Sequence, residues 1–326
     1  MASEEPVYDP SRTGSWLICS TCGTQFPTSD AQAVKTCFIC DDPRQFTPPT
    51  GQSFTTLDAV RSSHRNVFYP LPSGPATSSA GQDPDFVSIV TEPKFAIGQR
   101  AVLVKTPNGN VLWDCVTLLD EETIERITGL GGLKAIVISH PHYYSAHLEW
   151  ARAFQCPVYL ADEDREWTTQ SSSYQSFITE AELDLPVAGE SAGVRVLKLG
   201  GHFPGSLVLL YKGRLLVADT LITTPAGLGS WEANALGEAR ERPKGLNSYG
   251  FMWSIPNMIP LPPAEMERMW AILNKYSFVS SHGAFVKTDI FGKDGSEVKR
   301  RVLESMQIQI RNMGYGDHAM LKESLD

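Results

Sequence analysis

The chain has 326 residues, 42% of them apolar and 20% charged, with a formal net charge of −9. That composition belongs to a folded globular protein, and its acidic balance offers no basic face for nucleic acid or another polyphosphate. No apolar run approaches the roughly 20 residues of a membrane-crossing helix, and the acidic start MASEEPVYDPSRTGSW lacks the apolar segment of a signal peptide. A cytoplasmic protein acting on a small molecule, with no nucleic-acid or membrane partner, is expected.

In chain order, residues 1–15 read as a loose tail and 16–45 as a small, separate cysteine-bearing unit. Cys19 and Cys22, then Cys37 and Cys40, form two C-x-x-C pairs with 14 residues between them. Without a secretory signal, that spacing favours metal binding over disulfides, with a redox dithiol as the competing reading. Two such turns offer four thiolates to one tetrahedral ion, and Gly23 gives the first turn its backbone freedom. A segment this short buries too little to fold alone, so the ion provides much of its folding energy. The unit resembles a rubredoxin-like zinc ribbon, shorter than rubredoxin and with Asp41 where that family has glycine. That departure favours a structural zinc ion over an electron-carrying iron.

Residues 46–56 (FTPPTGQSFTT) read as a linker, residues 57–314 as one larger domain of alternating strands and helices, and 315–326 as a polar tail. Val102–Lys105 and Val111–Cys115 flank Asn108-Gly109, a hairpin signal because type I′ turns need positive φ. Glu121–Leu130 predicts a helix. Ala135–Ser139 is a continuous apolar strand of the kind buried on both faces. His147–Phe154 predicts a helix and Val158–Ala161 a strand. Val194–Leu199, Leu207–Tyr211 and Leu215–Ala218 are strand-like, with Lys212-Gly213 turning the last two. Pro263–Lys275 is helical with proline in its first turn, Phe278–Ser281 a strand, and Glu297–Met313 a helix. On that last helix Val298, Val302, Met306, Ile310 and Met313 recur every three or four residues and form one apolar stripe. Cys115 and Cys156 read as packing cysteines, and His64 and His318 as surface residues.

The stretch 135–142 carries the chemistry. His140-Pro141-His142 leaves a buried strand, presenting two imidazoles to one side of a loop. Sixty residues on, Gly200-Gly201-His202-Phe203-Pro204-Gly205-Ser206 repeats a histidine at a strand end. Asp219 follows the apolar run Val217-Ala218, and His282 follows Ser280-Ser281. An Asp or His just past a β-run leaves the sheet edge toward a shared cleft, and four such ends suggest one metal site.

With those residues in place, the chain resembles the metallo-β-lactamase superfamily over roughly residues 85–285. That family's signature runs H-x-H-x-D-H, a histidine before a Gly-Ser pair, an aspartate, and a C-terminal histidine. The resemblance implies an α/β fold, an αββα sandwich with metals held at one edge by loops. It implies that His140, His142 and His202 hold a first metal, that Asp219 bridges or closes the site, and that His282 serves a second metal. It also matches Asp114, in VLWDC, to the structural aspartate of an early strand. Tyr144 stands where the signature has its aspartate and Ser145 where it has its last histidine, so two usual ligands of the second metal are missing. His147 lies two residues further on, about 200° around if a helix has begun. It reads either as a helix-start histidine facing solvent or a partner chain, or as a substitute ligand.

Such a site lowers the pKa of a bound water and polarises a carbonyl or phosphoryl oxygen. Asp219 would orient that water or accept its proton, His282 stabilise an oxyanion or protonate a leaving group, and Tyr143 or Tyr144 bond substrate or water or simply pack. The aromatic residues of 231–262 (Trp231, Tyr249, Phe251, Trp253) read as a pocket wall or lid, or equally as packing or the contact face of a homodimer. The expectation is a metal-dependent hydrolase using metal-activated water on an ester, thioester, lactone or similar bond. It carries Zn2+ in the four-cysteine site and Zn2+, or alternatively Fe2+, at the histidines, with a weak second metal at most. A mononuclear-iron oxidoreductase of the same fold and a catalytically silent binding protein are the alternatives.

Overall fold

The computed structural model describes residues 8–74 and 81–325. A seven-stranded sheet runs in chain order: β1 (Arg65–Pro72), β2 (Gln82–Glu92), β3 (Ala101–Thr106), β4 (Gly109–Trp113), β5 (Ala135–Val137), β6 (Val158–Ala161) and β7 (Gln175–Ile178). Pairing is antiparallel from β1 to β4 and parallel from β4 to β7. A six-stranded sheet follows: β8 (Glu182–Val187), β9 (Glu190–Lys198), β10 (Leu207–Tyr211), β11 (Arg214–Leu216), β12 (Ser280–His282) and β13 (Asp289–Phe291). Only its β11–β12 pair is parallel.

Alternation along each strand builds four layers. Val102, Val104, Ala135 and Val137 meet Val194, Val196, Leu207 and Leu209 between the sheets. Their neighbours Leu103, Ile136 and Ile138 point outward onto helices α1 (Glu121–Gly129) and α2 (His147–Phe154), through Ile127, Leu148 and Ala151. Leu197, Val208, Leu210 and Leu215 cover α3 (Pro263–Leu273) and α4 (Glu297–Asn312), through Met266, Met269, Val302 and Met306. This is the expected αββα sandwich, and its central strands read as unbroken apolar runs because both faces are covered.

The β3–β4 hairpin forms, but not with its turn on Asn108-Gly109. Its two loop residues are Pro107 and Asn108, and the positive φ of 121° falls on Gly109, already paired with Thr106. Pro107 fixes a negative φ at the first loop position, which a type I′ turn does not accept. The β10–β11 turn does take positive φ at both residues, 48° at Lys212 and 72° at Gly213.

The cysteine unit is not separate from the domain. Leu17–Cys19 pairs antiparallel with Phe54–Thr56, so the end of the segment read as a linker closes back on it. Gly23 O accepts from Thr117 Oγ1 at 3.0 Å, and Gln25 N donates to Ser145 O at 3.2 Å. Thr169 Oγ1 donates to Gln25 O at 2.6 Å, and Phe38 stacks on Trp167 with centroids 6.1 Å apart. Ahead of it, within the segment expected to be a tail, Thr13 Oγ1 donates to buried Glu149 Oε2 at 2.8 Å. The C-terminal segment is likewise fastened: Gln307 Nε2 donates to Met320 O and Glu323 O at 2.9 Å, and Met320 is buried. Among the described residues, no helix is long and apolar enough to cross a membrane.

Candidate metal centre

Strand ends deliver the ligands. His140 lies just past β5, His142 sits in the turn Pro141–Tyr143, His202 in the β9–β10 loop, and Asp219 just past β11. The His202 loop approaches its neighbours too closely for side chains at its glycines. Gly201, at φ 91°, would place a Cβ 2.6 Å from Thr220 Oγ1 and 2.8 Å from a Leu261 methyl.

The four residues meet as ligands of one ion would. His140, His142, His202 and Asp219 each offer an atom, all within 4.8 Å of one another. Asp219 Oδ2 lies 3.5 Å from His140 Nε2, 4.0 Å from His142 Nδ1 and 3.9 Å from His202 Nε2. His142 Nδ1 and His202 Nε2 are 3.3 Å apart. Bonds of ~2.0–2.1 Å to a tetrahedral ion place ligand nitrogens about 3.4 Å from each other. His140 Nε2 is buried with no hydrogen-bond partner, which an ion would satisfy.

Neighbouring groups set the imidazoles. His202 Nδ1 donates to Trp253 O at 2.9 Å, and a carbonyl only accepts, so Nε2 is left as the lone-pair nitrogen facing the cluster. His140 Nδ1 pairs with Ser139 Oγ at 2.9 Å. Burial lowers His142 to about 4 and holds His202 well below the usual histidine range, so both stay neutral, as ligation requires. Burial alone would push Asp219 up, but the histidines, His140 foremost, pull its carboxyl well below the ordinary value. Asp114 is fully buried and accepts from Ser139 N at 2.8 Å, bracing the strand end that carries His140.

Other residues singled out in the sequence lie elsewhere. Tyr144 donates to Asp164 O at 3.2 Å, away from the ligands, and its neighbour Tyr143 instead donates to Asp219 Oδ1 at 2.8 Å. Ser145 Oγ contacts Gln99 and Cys115. His147 is buried rather than solvent-facing: Nδ1 donates to Tyr144 O at 2.9 Å, and Gln175 Nε2 bonds to Nε2 at 3.0 Å. His147 therefore has no free nitrogen for an ion.

His282 is not brought to the cluster either. Its Nδ1 donates to Asp289 Oδ1 at 2.8 Å, while Ser280 Oγ lies 2.9 Å and Arg214 Nη1 3.1 Å from Nε2. Asp289 also accepts from Arg100 Nη2 at 2.7 Å. The order hydroxyl, imidazole, carboxylate has the connectivity of a nucleophile relay. Yet His282 and Ser280 are buried, and Arg214 crowds the nitrogen that would act as base. This saturated network ties β12 and β13 to the first sheet. Of the aromatic stretch, Tyr249 and Phe251 pack under α3 and α4, and Trp253 alone bonds to the histidines.

The cysteine unit supplies a neighbour that nothing in the sequence pattern announced. Arg44 Nη1 donates to His202 O at 3.1 Å, and its guanidinium carbon lies 3.7 Å from the centroid of Phe203. The cysteines themselves converge: Cys19 and Cys40 sulfurs are 3.7 Å apart, as are those of Cys22 and Cys37. Tetrahedral bonds of ~2.3 Å require about 3.8 Å between sulfurs, far beyond a disulfide. Hydrogen bonding to Cys19 raises the Cys22 and Cys40 thiols.

The profile of the Metallo-beta-lactamase superfamily matches residues 96–261, just over half of the chain. The uncharacterized protein YmaE of Bacillus subtilis (strain 168) is 38% identical over 283 residues, spanning 83% of this chain and 89% of its own. Among solved structures, a B3 metallo-beta-lactamase with an active-site glutamic acid overlays at TM-score 0.42 and 12% identity, covering 85% of this chain and 99% of its own. The peroxy diiron species of the chemotaxis sensor ODP overlays at TM-score 0.46 and 12% identity, covering 76% and 99%. The profile match, over a chain that gathers His140, His142, His202 and Asp219 at its strand ends, shows that this protein belongs to the metallo-β-lactamase superfamily.

Proposed function

We propose that this chain is a hydrolase whose histidine centre holds one divalent ion, zinc in the first instance, and cleaves an ester, thioester, lactone or similar bond. The reading rests on the convergence of three imidazoles and the Asp219 carboxylate within 4.8 Å, with no second group of ligands beside them among the described residues. An ion so held supplies Lewis acidity and a water acidic enough to serve as nucleophile near neutral pH. The protein's own groups hold the geometry. Tyr143 engages Asp219 Oδ1 and leaves Oδ2 facing the histidines. Burial pushes the Tyr143 phenol well up, so it keeps its proton and remains a donor. Phe203, packed on His142 with centroids 5.0 Å apart, gives the site an apolar wall.

The knuckle is proposed to carry a structural zinc ion, on the spacing of its sulfurs. None of the six cysteines is in a disulfide, which suits a reducing cytoplasm.

The test is a metal count on the purified full chain, paired with ester, thioester, lactone and phosphodiester substrates. Two zinc ions per chain and chelator-sensitive turnover of at least one carbonyl substrate are expected. Iron with visible absorbance and no hydrolysis would reassign the site to a mononuclear-iron oxidoreductase. Metal confined to the knuckle would make the chain a silent binding protein.

A further inference from the structure

The segment leaving the last knuckle cysteine runs directly onto the histidine centre. Two residues after Cys40, Asp42 grips Arg44 in a fork, with Oδ1 2.6 Å from Nε and Oδ2 2.9 Å from Nη2. The backbone N–H of Arg44 donates to the same carboxylate at 2.9 Å. Both side chains are largely covered, 10% and 13% exposed. The remaining nitrogen, Nη1, donates to His202 O. The guanidinium face lies over Phe203, with Trp167 at 5.4 Å and Trp253 at 5.7 Å around it. Phe203 in turn packs against all three histidine rings, with centroids 5.0 to 5.8 Å away.

Between the two charged residues, Pro43 turns its carbonyl to the 250s loop. It accepts from Ser254 Oγ at 2.6 Å and from Asn257 Nδ2 at 2.7 Å. Ser254 ends the strand Met252–Ser254, which also carries Trp253, whose own carbonyl sets the His202 ring. The three-residue arm therefore holds His202 twice, through its backbone carbonyl and through the strand that fixes its ring. A covered ion pair adds little net stability, because desolvation offsets the attraction. What it does supply is direction: the planar fork spends Nε and Nη2 on Asp42 and leaves Nη1 and one π face for the metal centre.

We propose that the cysteine knuckle is a positioning element of the histidine centre, acting through Asp42, Pro43 and Arg44, so that the centre's affinity for its ion depends on an intact knuckle. The proposal rests on the histidines holding an ion and is independent of which reaction that ion serves. Arg44 is a positioning residue: it touches His202 and Phe203, not the ligand atoms.

Cobalt(II) distinguishes the two centres in the full chain, since thiolate ligation gives a near-ultraviolet charge-transfer band that imidazole–carboxylate ligation lacks, so cobalt bound without gain of that band is at the histidines. Cobalt is titrated against a competing chelator. Arg44→Ala is expected to weaken binding at the histidine centre about 10- to 100-fold, the usual effect of losing a group that orients a ligand, and to leave the thiolate band intact. Cys37→Ser, which damages the knuckle itself, is expected to weaken the same centre similarly. Wild-type affinity of the histidine centre in Arg44→Ala would overturn the proposal, even if Cys37→Ser proved too unstable to measure. A wild-type histidine centre that takes up no cobalt would overturn it together with the metal reading. Normal cobalt affinities without turnover of any substrate would sink only the hydrolase.

Discussion

The Tyr143 hydroxyl donates to Asp219 Oδ1 at 2.8 Å, across 76 residues of sequence, while the adjacent Tyr144 reaches a backbone carbonyl on the other side of the turn. Tyr143→Phe removes the only described partner of that oxygen. The histidine centre should then lose about tenfold or more in metal affinity, read as metal retained after dialysis against a graded chelator. Tyr144→Phe should leave retention unchanged, and equal losses in the two variants would break the distinction.

His202→Ala should release one metal equivalent and leave the fold intact, since its ring faces the cluster and Trp253. His282→Ala should do the reverse. Asp289 and Arg214 would lose a buried partner, costing on the order of 3 kcal/mol of stability in urea titration, with metal content unchanged. Loss of metal from His282→Ala would return that histidine to the site.

Acid should weaken the fold through His147. Burial lowers its folded pKa to about 4, while an unfolded histidine titrates near 6.5. A depressed folded pKa means that the stabilisation is complete above the unfolded value and is lost as pH falls from about 6.5 toward 4. The loss amounts to a few kcal/mol, on the order of 1.4 kcal/mol per pH unit. Urea midpoints of wild type and His147→Gln at pH 7.5 and pH 5 test this, and the variant should show the smaller drop.

Gly23 sits at φ 82°, and a Cβ there would fall 2.0 Å from Thr117 Oγ1. Gly23→Ala should therefore loosen the knuckle from the domain by at least the ~1–2 kcal/mol of a left-handed residue. Limited proteolysis within residues 46–53 should accelerate, with the rest of the chain resistant. Unchanged cleavage would show that the interface relaxes around the methyl group.

How legible each residue was depends on how far away its partners lie. His140, His142, His202 and Asp219 follow apolar runs, and a strand end in a layered α/β fold is a place where side chains meet. The same reasoning misplaced His282, because its ring nitrogens are claimed by Asp289 and by Arg214, 68 residues away. Tyr143 and Tyr144 occupy one tight turn, where successive side chains diverge by about 120°, and no local pattern decides which faces the ion. Arg44 was beyond reach altogether, since its partner His202 lies 158 residues on. Strands β1 and β2, interrupted by Pro70, Pro72 and Pro84, carried too weak an alternation to be marked, whereas β10 and α2 match the predicted Leu207–Tyr211 and His147–Phe154.

The knuckle's place in the chain has a bearing on synthesis. All four of its cysteines have emerged by residue 40, long before the surfaces on which it rests: Thr117, Ser145, Thr169, His202 and finally Asn257. On the ribosome, where chains fold from the N-terminus onward, the clasp can form before the surfaces it closes upon. The latch is made before the door.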